Sequence, residues 1–147
     1  MPTPKENRFK STRSQEMLNT NQFLILYGEA FPELEGEIFD NDYRGLLPLQ
    51  VGLLGSHINY YIKSGMLKEV KRVFIFFEQM MPQVNSEVEN ALVVSFLEHV
   101  KMDGDNENEI AARKLLAPQY LQLWKSLRQV MLPPKTPPGK TKTKRRR

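Results

Sequence analysis

Cysteine is absent from this sequence of 147 residues, and its absence excludes three kinds of chemistry. Without thiols the chain has no disulfide framework, no thiolate metal ligand and no cysteine nucleophile. Histidine is nearly as scarce, because only His57 and His99 are present, and neither has a nucleophile or a second metal ligand at a fitting spacing. The sequence therefore predicts no metal, no cofactor and no enzyme activity, and we expect a reducing compartment such as the cytoplasm.

Long apolar runs are also missing. No window approaches the 18 or so uninterrupted apolar residues that indicate a helix crossing a membrane. The basic residues near the N-terminus are not followed by an apolar run of signal-peptide length. We therefore expect neither secretion nor a membrane partner.

The alternation of apolar and polar residues that is typical of strands is not found, whereas helical spacing recurs along the chain. The sequence predicts an all-α fold, a compact array of about six helices arranged as helical hairpins. These helices are expected near residues 20–30, 46–64, 66–81, 86–101, 106–116 and 118–131. The pairs at 45–81 and 85–116 have a repeat-like spacing without internal sequence similarity. The segment 33–41 is left open between helix and loop.

Charge is distributed unevenly along the chain. Residues 1–13 carry four basic and one acidic side chain, and residues 132–147 carry seven basic and no acidic ones. Between them stand ten basic and sixteen acidic side chains, so the net charge of +4 conceals an acidic centre. We expect a flexible basic lead (1–18), a helical domain (19–131) and a disordered basic tail.

The most informative stretch is the predicted helix 86–101. Ser86 precedes Glu89 by three residues, the spacing of a capping box, and an apolar stripe through Leu92 and Phe96 follows. Projected at 100° per residue, Glu89 lies inside the apolar arc and His99 at its edge. Both residues are therefore functional candidates, although capping and a helix-terminal position account for them structurally.

A second set of polar residues interrupts the apolar face of the helix at 46–64, where Gln50 and His57 project from its middle. Buried polar groups need partners, so we expect hydrogen bonds through Tyr61 or across to Glu89. The candidate polar cluster is Gln50, His57, Glu89, Asn90, Glu98 and His99. A structural network is favoured over a site. The opposite side of the same helix carries small and polar residues, which let another helix or a partner approach closely: Gly52, Gly55, Ser56 and Asn59.

Carboxylates are concentrated in residues 29–42, which contain no Lys or Arg. The candidate partner-facing residues in this segment are Glu33, Glu35, Glu37, Asp40 and Asp42. Two interpretations stay open, a solvated face and a surface for a basic partner. A further acidic loop, at 103–114, resembles a calcium loop at its first three ligand positions. It has Asn108 where glycine is required and Lys114 where glutamate is required, so calcium is not predicted.

Three stretches carry a resemblance to a known family: F-P-E-L-E at 31–35, G-L-L-P-L-Q-V-G at 45–52 and E-V-E-N-A-L-V-V-S-F-L-E-H-V at 87–100. They resemble a family of small uncharacterised bacterial proteins over roughly residues 20–130, mainly through the E-N-A-L-x-V-S-F-L-E-H run. The resemblance implies a cytoplasmic bacterial protein of one helical domain without an established activity, similar to immunity partners of secreted toxins. If the run marks a site, the resemblance places there Glu89, Asn90, Glu98, His99 and Gln50.

The sequence supports two hypotheses about function, which belong to different classes. The leading hypothesis is a non-enzymatic protein-binding domain, an immunity-type or regulatory partner of another, basic protein. The alternative is nucleic-acid association through residues 135–147, whose positive charges would give salt-dependent affinity without the aromatic stacking that adds specificity. An enzyme ranks third, because its only acid–base groups on the predicted core helices are Glu89, Glu98, His57 and His99.

Overall fold

A computed structural model of the protein describes residues 17–131. Within that range the regular structure is helical, no strand is formed, and a single isolated bridge joins Leu18 to Val84. The all-α class is therefore confirmed. The expected disorder of the basic lead and of the basic tail falls on residues 1–16 and 132–147, which lie outside the described residues.

Seven α-helices form in the described range, one more than the six predicted. They are α1 (Thr20–Ala30), α2 (Pro32–Ile38), α3 (Leu47–Lys63), α4 (Leu67–Met80), α5 (Ser86–Ala91), α6 (Glu107–Leu115) and α7 (Pro118–Met131). The additional helix is α2, in the segment that the sequence left open. Pro32 stands at its start and Glu33 and Glu35 in its first turn, where a fixed φ and negative charge both favour a helix.

The chain divides into two compact units after Ala117. The second unit contains α7, whose apolar residues keep the predicted helical spacing: Tyr120, Leu121, Trp124 and Leu127. The first unit contains α1 to α6 and every surface discussed below. The prediction of one domain across residues 19–131 stays a prediction.

The predicted helix 86–101 changes its winding twice. After α5 the chain continues as a π-helical segment, Leu92–Phe96, and then as a 3-10 turn, Leu97–His99. The predicted capping box is wrong, because Asn85 is the N-cap and its side chain accepts a hydrogen bond from the Val88 N–H at 2.9 Å. Asparagine and serine cap equally well, and here Asn85 has the extended backbone that a cap requires.

Helix α3 lies at the centre of the first unit and packs against α2, α4, α6 and the π segment. It forms the predicted hairpin with α4 through a turn at Gly65, whose φ of 73° is left-handed. A Cβ at Gly55 would lie 3.3 Å from the carbonyl oxygen of Ser95 and 3.9 Å from the Cα of Phe96. The absence of a side chain at Gly55 thus lets the backbone of the π segment rest directly on α3.

Asn59, one turn after Gly55, holds the chain where it leaves the 3-10 turn. Its Nδ2 donates to the carbonyl oxygen of His99 at 2.8 Å, and its Oδ1 accepts from the Lys101 N–H at 2.8 Å. Both polar ends of one side chain are therefore satisfied by backbone about 40 positions along the chain.

An aromatic cluster fills the space between α1 and α4. Its rings lie 5.2 to 6.1 Å apart and belong to Phe23, Tyr27, Phe31 and Phe76. The Tyr27 hydroxyl donates to the carbonyl oxygen of Gln50 at 2.8 Å. Because Tyr27 is fully buried, desolvation raises the pKa of its phenol and keeps it a hydrogen-bond donor.

Arg72 of α4 contacts the junction between α1 and α2. Its guanidinium donates to the carbonyl oxygen of Ala30 at 2.9 Å, to Glu33 at 2.6 Å and to Glu69 at 2.8 Å, and it lies 4.7 Å from the ring centroid of Phe31. One planar cation thus combines hydrogen bonds, two ion pairs and a cation–π contact. Partial burial raises the pKa of Glu33, but the hydrogen bond and charge of Arg72 outweigh burial and leave that pKa lowered.

The burial of Phe96 yields the first testable prediction. Its side chain is fully buried with its ring centroid 5.2 Å from that of Phe77, so Phe96→Ala should lower the free energy of unfolding by about 3 to 5 kcal/mol. Val94 lies in the same π segment but is 42% exposed, so Val94→Ala should cost no more than about 0.5 kcal/mol. Urea denaturation followed by circular dichroism measures both, and equal costs would contradict the packing of the π segment.

The ion pair of Glu33 yields the second prediction. A lowered folded-state pKa means that the charged carboxylate stabilises the fold above its unfolded pKa near 4.5, and that this contribution is lost as pH falls through the folded value. Glu33→Gln should therefore lower the free energy of unfolding at neutral pH by less than about 1 kcal/mol, since both partners are over one-third exposed and screened by solvent. Thermal melts of variant and wild type should converge below pH 4.5.

Glu35→Gln is the matched control, because it removes one negative charge from the exposed side of the same helix without touching Arg72. A Glu33→Gln deficit that persists unchanged at low pH would contradict the proposed ion pair.

Candidate functional site

The structure separates the members of the candidate polar cluster. Gln50 is buried, and its Nε2 donates to the carbonyl oxygen of Ile38 at 2.8 Å, at the end of α2. Its Oε1 is also buried and has no hydrogen-bond partner. His57 is half-buried, with its ring 5.8 Å from that of Tyr61 in an edge-on arrangement. The partner of Gln50 is therefore α2 and not the helix that carries Glu89.

The remaining members lie along the 86–99 stretch. Glu89 and Asn90 are exposed on α5, Glu98 is half-buried, and His99 is exposed at the end of the 3-10 turn. The placement of Glu89 inside the apolar arc is wrong, because the buried side of α5 passes through Val88 and Ala91 and leaves Glu89 exposed. The prediction of a site formed jointly by these six residues stays a prediction.

The candidate partner-facing carboxylates all lie at the surface. Glu33 is held by Arg72, and Asp40 accepts a hydrogen bond from the Asp42 N–H at 2.8 Å, which caps a 3-10 turn at Asn41–Tyr43. In the described part of the chain no ion pair neutralises the other carboxylates of the segment. We call this region the acidic surface and define it by Glu35, Glu37, Asp40 and Asp42.

Two apolar side chains border the acidic surface. Phe39 follows α2 and is 45% exposed, and Leu46, whose N–H donates to the carbonyl oxygen of Tyr43, is 46% exposed. Large apolar groups beside charged ones, both accessible to solvent, are typical of surfaces that bind other proteins. The acidic surface also contains a depression of about 160 Å³, which is bordered by Glu37, Asp40, Asp42 and Tyr43.

The acidic surface rests on a rigid base. Arg72 ties the first turn of α2 to α4, and the Gln50 amide binds the last carbonyl of the same helix. Both ends of α2 are thus fixed to neighbouring helices. A surface held in this way loses little conformational entropy when a partner binds.

A second concave region runs along the other side of α3, and we call it the α3 groove. It consists of two clefts, of about 420 and 830 Å³, which share Asn59 and Lys101. The smaller lies between the small residues of α3, including Gly52 and Gly55, and the chain at Ser95, His99 and Lys101. The larger continues past Tyr60 and Lys63 to the start of α6.

The start of α6 is already capped. Asn106 is its N-cap, accepts a hydrogen bond from the Glu109 N–H at 2.9 Å and donates to the Glu109 carboxylate at 3.0 Å. The carboxylate of Glu109 also accepts from the Gly104 N–H. These bonds and the acidic first turn leave no positive helix end for an anion.

The described residues contain no group of three or more His, Asp or Glu side chains placed to hold a metal ion. None of the helices in that part of the chain is both long and apolar enough to cross a membrane.

Sequence patterns did not identify the partners of the three side chains that position these surfaces, Arg72, Gln50 and Asn59. Arg72 stands in the charged face of an amphipathic helix, and nothing local indicates that it reaches residues 39 and 42 positions earlier. Gln50 was expected to bond Tyr61 or the helix of Glu89, whereas its partner is the Ile38 carbonyl oxygen, 12 positions earlier. Asn59 was recognised only as part of a polar side of α3.

Comparison with known proteins gives one match. No curated protein and no solved structure matches the chain. The model of a family described as a domain of unknown function (DUF7674) matches residues 25–131. This range agrees closely with the roughly 20–130 covered by the family resemblance of the sequence, and it spans all but the first part of α1 among the helices. The chain therefore belongs to the DUF7674 family.

Proposed function

We propose that the protein is a non-enzymatic binding domain whose acidic surface binds a basic segment of another protein. The observation that carries this proposal is a set of four exposed carboxylates that no ion pair neutralises in the described part of the chain. Such a set leaves its charge available to a partner.

Charge and apolar contact have separate roles in this proposal. The carboxylates attract lysine and arginine over about a Debye length and select against acidic partners. Phe39 and Leu46 supply apolar area that is removed from water on contact, and an aromatic residue is a common anchor of protein interfaces. Together they provide both selectivity and affinity.

The finer part of the proposal is an immunity-type or regulatory partner in the cytoplasm of a bacterium. It is supported by the resemblance of the E-N-A-L-x-V-S-F-L-E-H run at residues 89–99 to small bacterial proteins of this kind. A cysteine-free chain whose residues 14–131 have an excess of acidic side chains, and which binds a basic protein, fits such a role.

Nucleic-acid association through residues 135–147 is the second candidate. It is supported by the sequence alone, because seven basic and no acidic side chains stand in the last sixteen residues. A segment of that charge would bind phosphate without sequence preference, and its affinity would fall steeply with salt.

Affinity capture from native lysate with the full-length chain tests the proposal. The surface variant is Glu37→Lys/Asp42→Lys, and the control is Glu89→Lys/Asp105→Lys, which makes the same change in charge at exposed carboxylates elsewhere. A partner should be captured by wild type and control, and capture by the surface variant should fall at least about tenfold because attraction becomes repulsion. Circular dichroism verifies that both variants fold.

Nuclease treatment separates the two candidates. Capture that survives nuclease and depends on the acidic surface supports protein binding. Capture that is equal for wild type and surface variant contradicts it, and loss of all captured material after nuclease would support the basic tail instead.

A further inference from the structure

We propose that the smaller cleft of the α3 groove binds an acidic peptide segment that carries an apolar side chain. This site is separate from the acidic surface and its partner is of opposite charge, so the inference does not rest on the proposed function. It rests on the shape, the charge and the rigidity of the cleft.

The shape of the cleft follows from the meeting of two elements. The backbone of the π segment reaches α3 at Gly55, and the neighbouring α3 positions stay uncovered. A Cβ at Gly52 would meet no atom within 4 Å, so the floor beside it is open to a ligand. Leu49, which is 53% exposed, stands at the rim and offers an apolar contact.

The cleft is lined by basic side chains, whereas residues 14–131 together carry an excess of acidic ones. His99 and Lys101 stand on the wall that faces α3, and no carboxylate borders the cleft. The adjoining cleft is lined by Lys63 but also by Glu107 and Glu109, so the excess of basic groups is confined to the smaller cleft. Since residues 14–131 carry sixteen acidic and ten basic side chains, this is a local basic region in an acidic domain, complementary to carboxylates.

The basic wall is held in place before any ligand arrives. Asn59 bonds the backbone on both sides of it, at the carbonyl of His99 and the N–H of Lys101. The Lys101 side chain itself is exposed, and only its backbone takes part in this bond. A ligand carboxylate would therefore meet a cation on a fixed backbone.

The cleft fits a polypeptide better than a nucleic acid. Its lining contains no Phe, Tyr or Trp ring, and the imidazole of His99 is the one ring there on which a base could stack. The excess of carboxylates in residues 14–131 repels a long chain of phosphates. From Pro48 to Asn59 the helix extends about 17 Å, at 1.5 Å per residue. This length accommodates about five residues of an extended peptide.

Peptide display on the immobilised full-length chain tests the proposal. The probe is a library of random dodecapeptides, from which binders of the Gly52→Leu chain are first removed. That variant fills the cleft but keeps both basic termini, so peptides that bind the termini are discarded. Surviving peptides should contain Asp or Glu and a large apolar residue.

Affinities of the surviving peptides, measured by fluorescence anisotropy, locate the site. Gly52→Leu and Lys101→Glu should each weaken binding at least about tenfold, the first by filling the cleft and the second by reversing its charge. The matched controls are Gly36→Leu, another helical glycine whose Cβ would meet no atom within 4 Å, and Lys71→Glu, another exposed lysine. Both should bind within about twofold of wild type.

Thermal melting distinguishes lost binding from lost folding. Gly52→Leu should melt no lower than wild type, because it replaces a helical glycine by a better helix former in open space. If Gly52→Leu melts lower than wild type, the affinity of Lys101→Glu alone tests the proposal. The proposal is overturned if no peptide survives, if survivors lack carboxylates, if they bind Lys101→Glu as well as wild type, or if oligothymidylate displaces them from the cleft.

Discussion

The approach of α3 to the π segment at Gly55 is the contact on which the arrangement of the first unit depends. At this point two stretches of backbone touch without an intervening side chain. The contact places Phe96 and Leu97 in the core, and it brings the following residues within reach of Asn59, one turn along α3. The α3 groove exists because the two elements touch at Gly55 and diverge on either side of it.

Two surfaces of opposite charge result from the position of α3 between its neighbours. Its first turns meet the end of α2 through Gln50, which fixes the acidic surface, while its small-residue side forms the floor of the basic cleft. Arg72 completes the arrangement by holding the start of α2 against α4. Helix α2 carries Glu35 and Glu37, whereas Asp40, Asp42, His99 and Lys101 stand in the 3-10 turns and the connecting chain that follow α2 and the π segment.

Helical periodicity was enough to predict six of the seven helices within the described residues, because burial of one apolar stripe per helix dominates the stability of such a fold. The exposure of the acidic surface could also be predicted from the sequence, since carboxylates without nearby lysine or arginine seldom become buried.

The π-helical segment Leu92–Phe96 could not be predicted from the sequence, because the same apolar residues fit an α-helix and a π-helix equally well. The dispersal of the polar cluster has a related cause. A projection shows which side of its own helix Glu89 or Gln50 occupies, but not which helix covers that side. Arg72 and Asn59 act over long sequence separations, and their roles emerge only when the fold is known.

Two glycine substitutions in α3 test the central contact most directly. Gly52→Ala adds a Cβ to open space and should raise the free energy of unfolding by about 0.5 to 1 kcal/mol through its effect on the unfolded chain. Gly55→Ala has the same effect on the unfolded chain, but its Cβ would lie 3.3 Å from the Ser95 carbonyl oxygen, and the backbone there would have to shift by a few tenths of an ångström. Urea denaturation should therefore show Gly55→Ala to be less stable than Gly52→Ala by about 1 kcal/mol or more. Equal stabilisation by both substitutions would contradict the close approach of the two backbones.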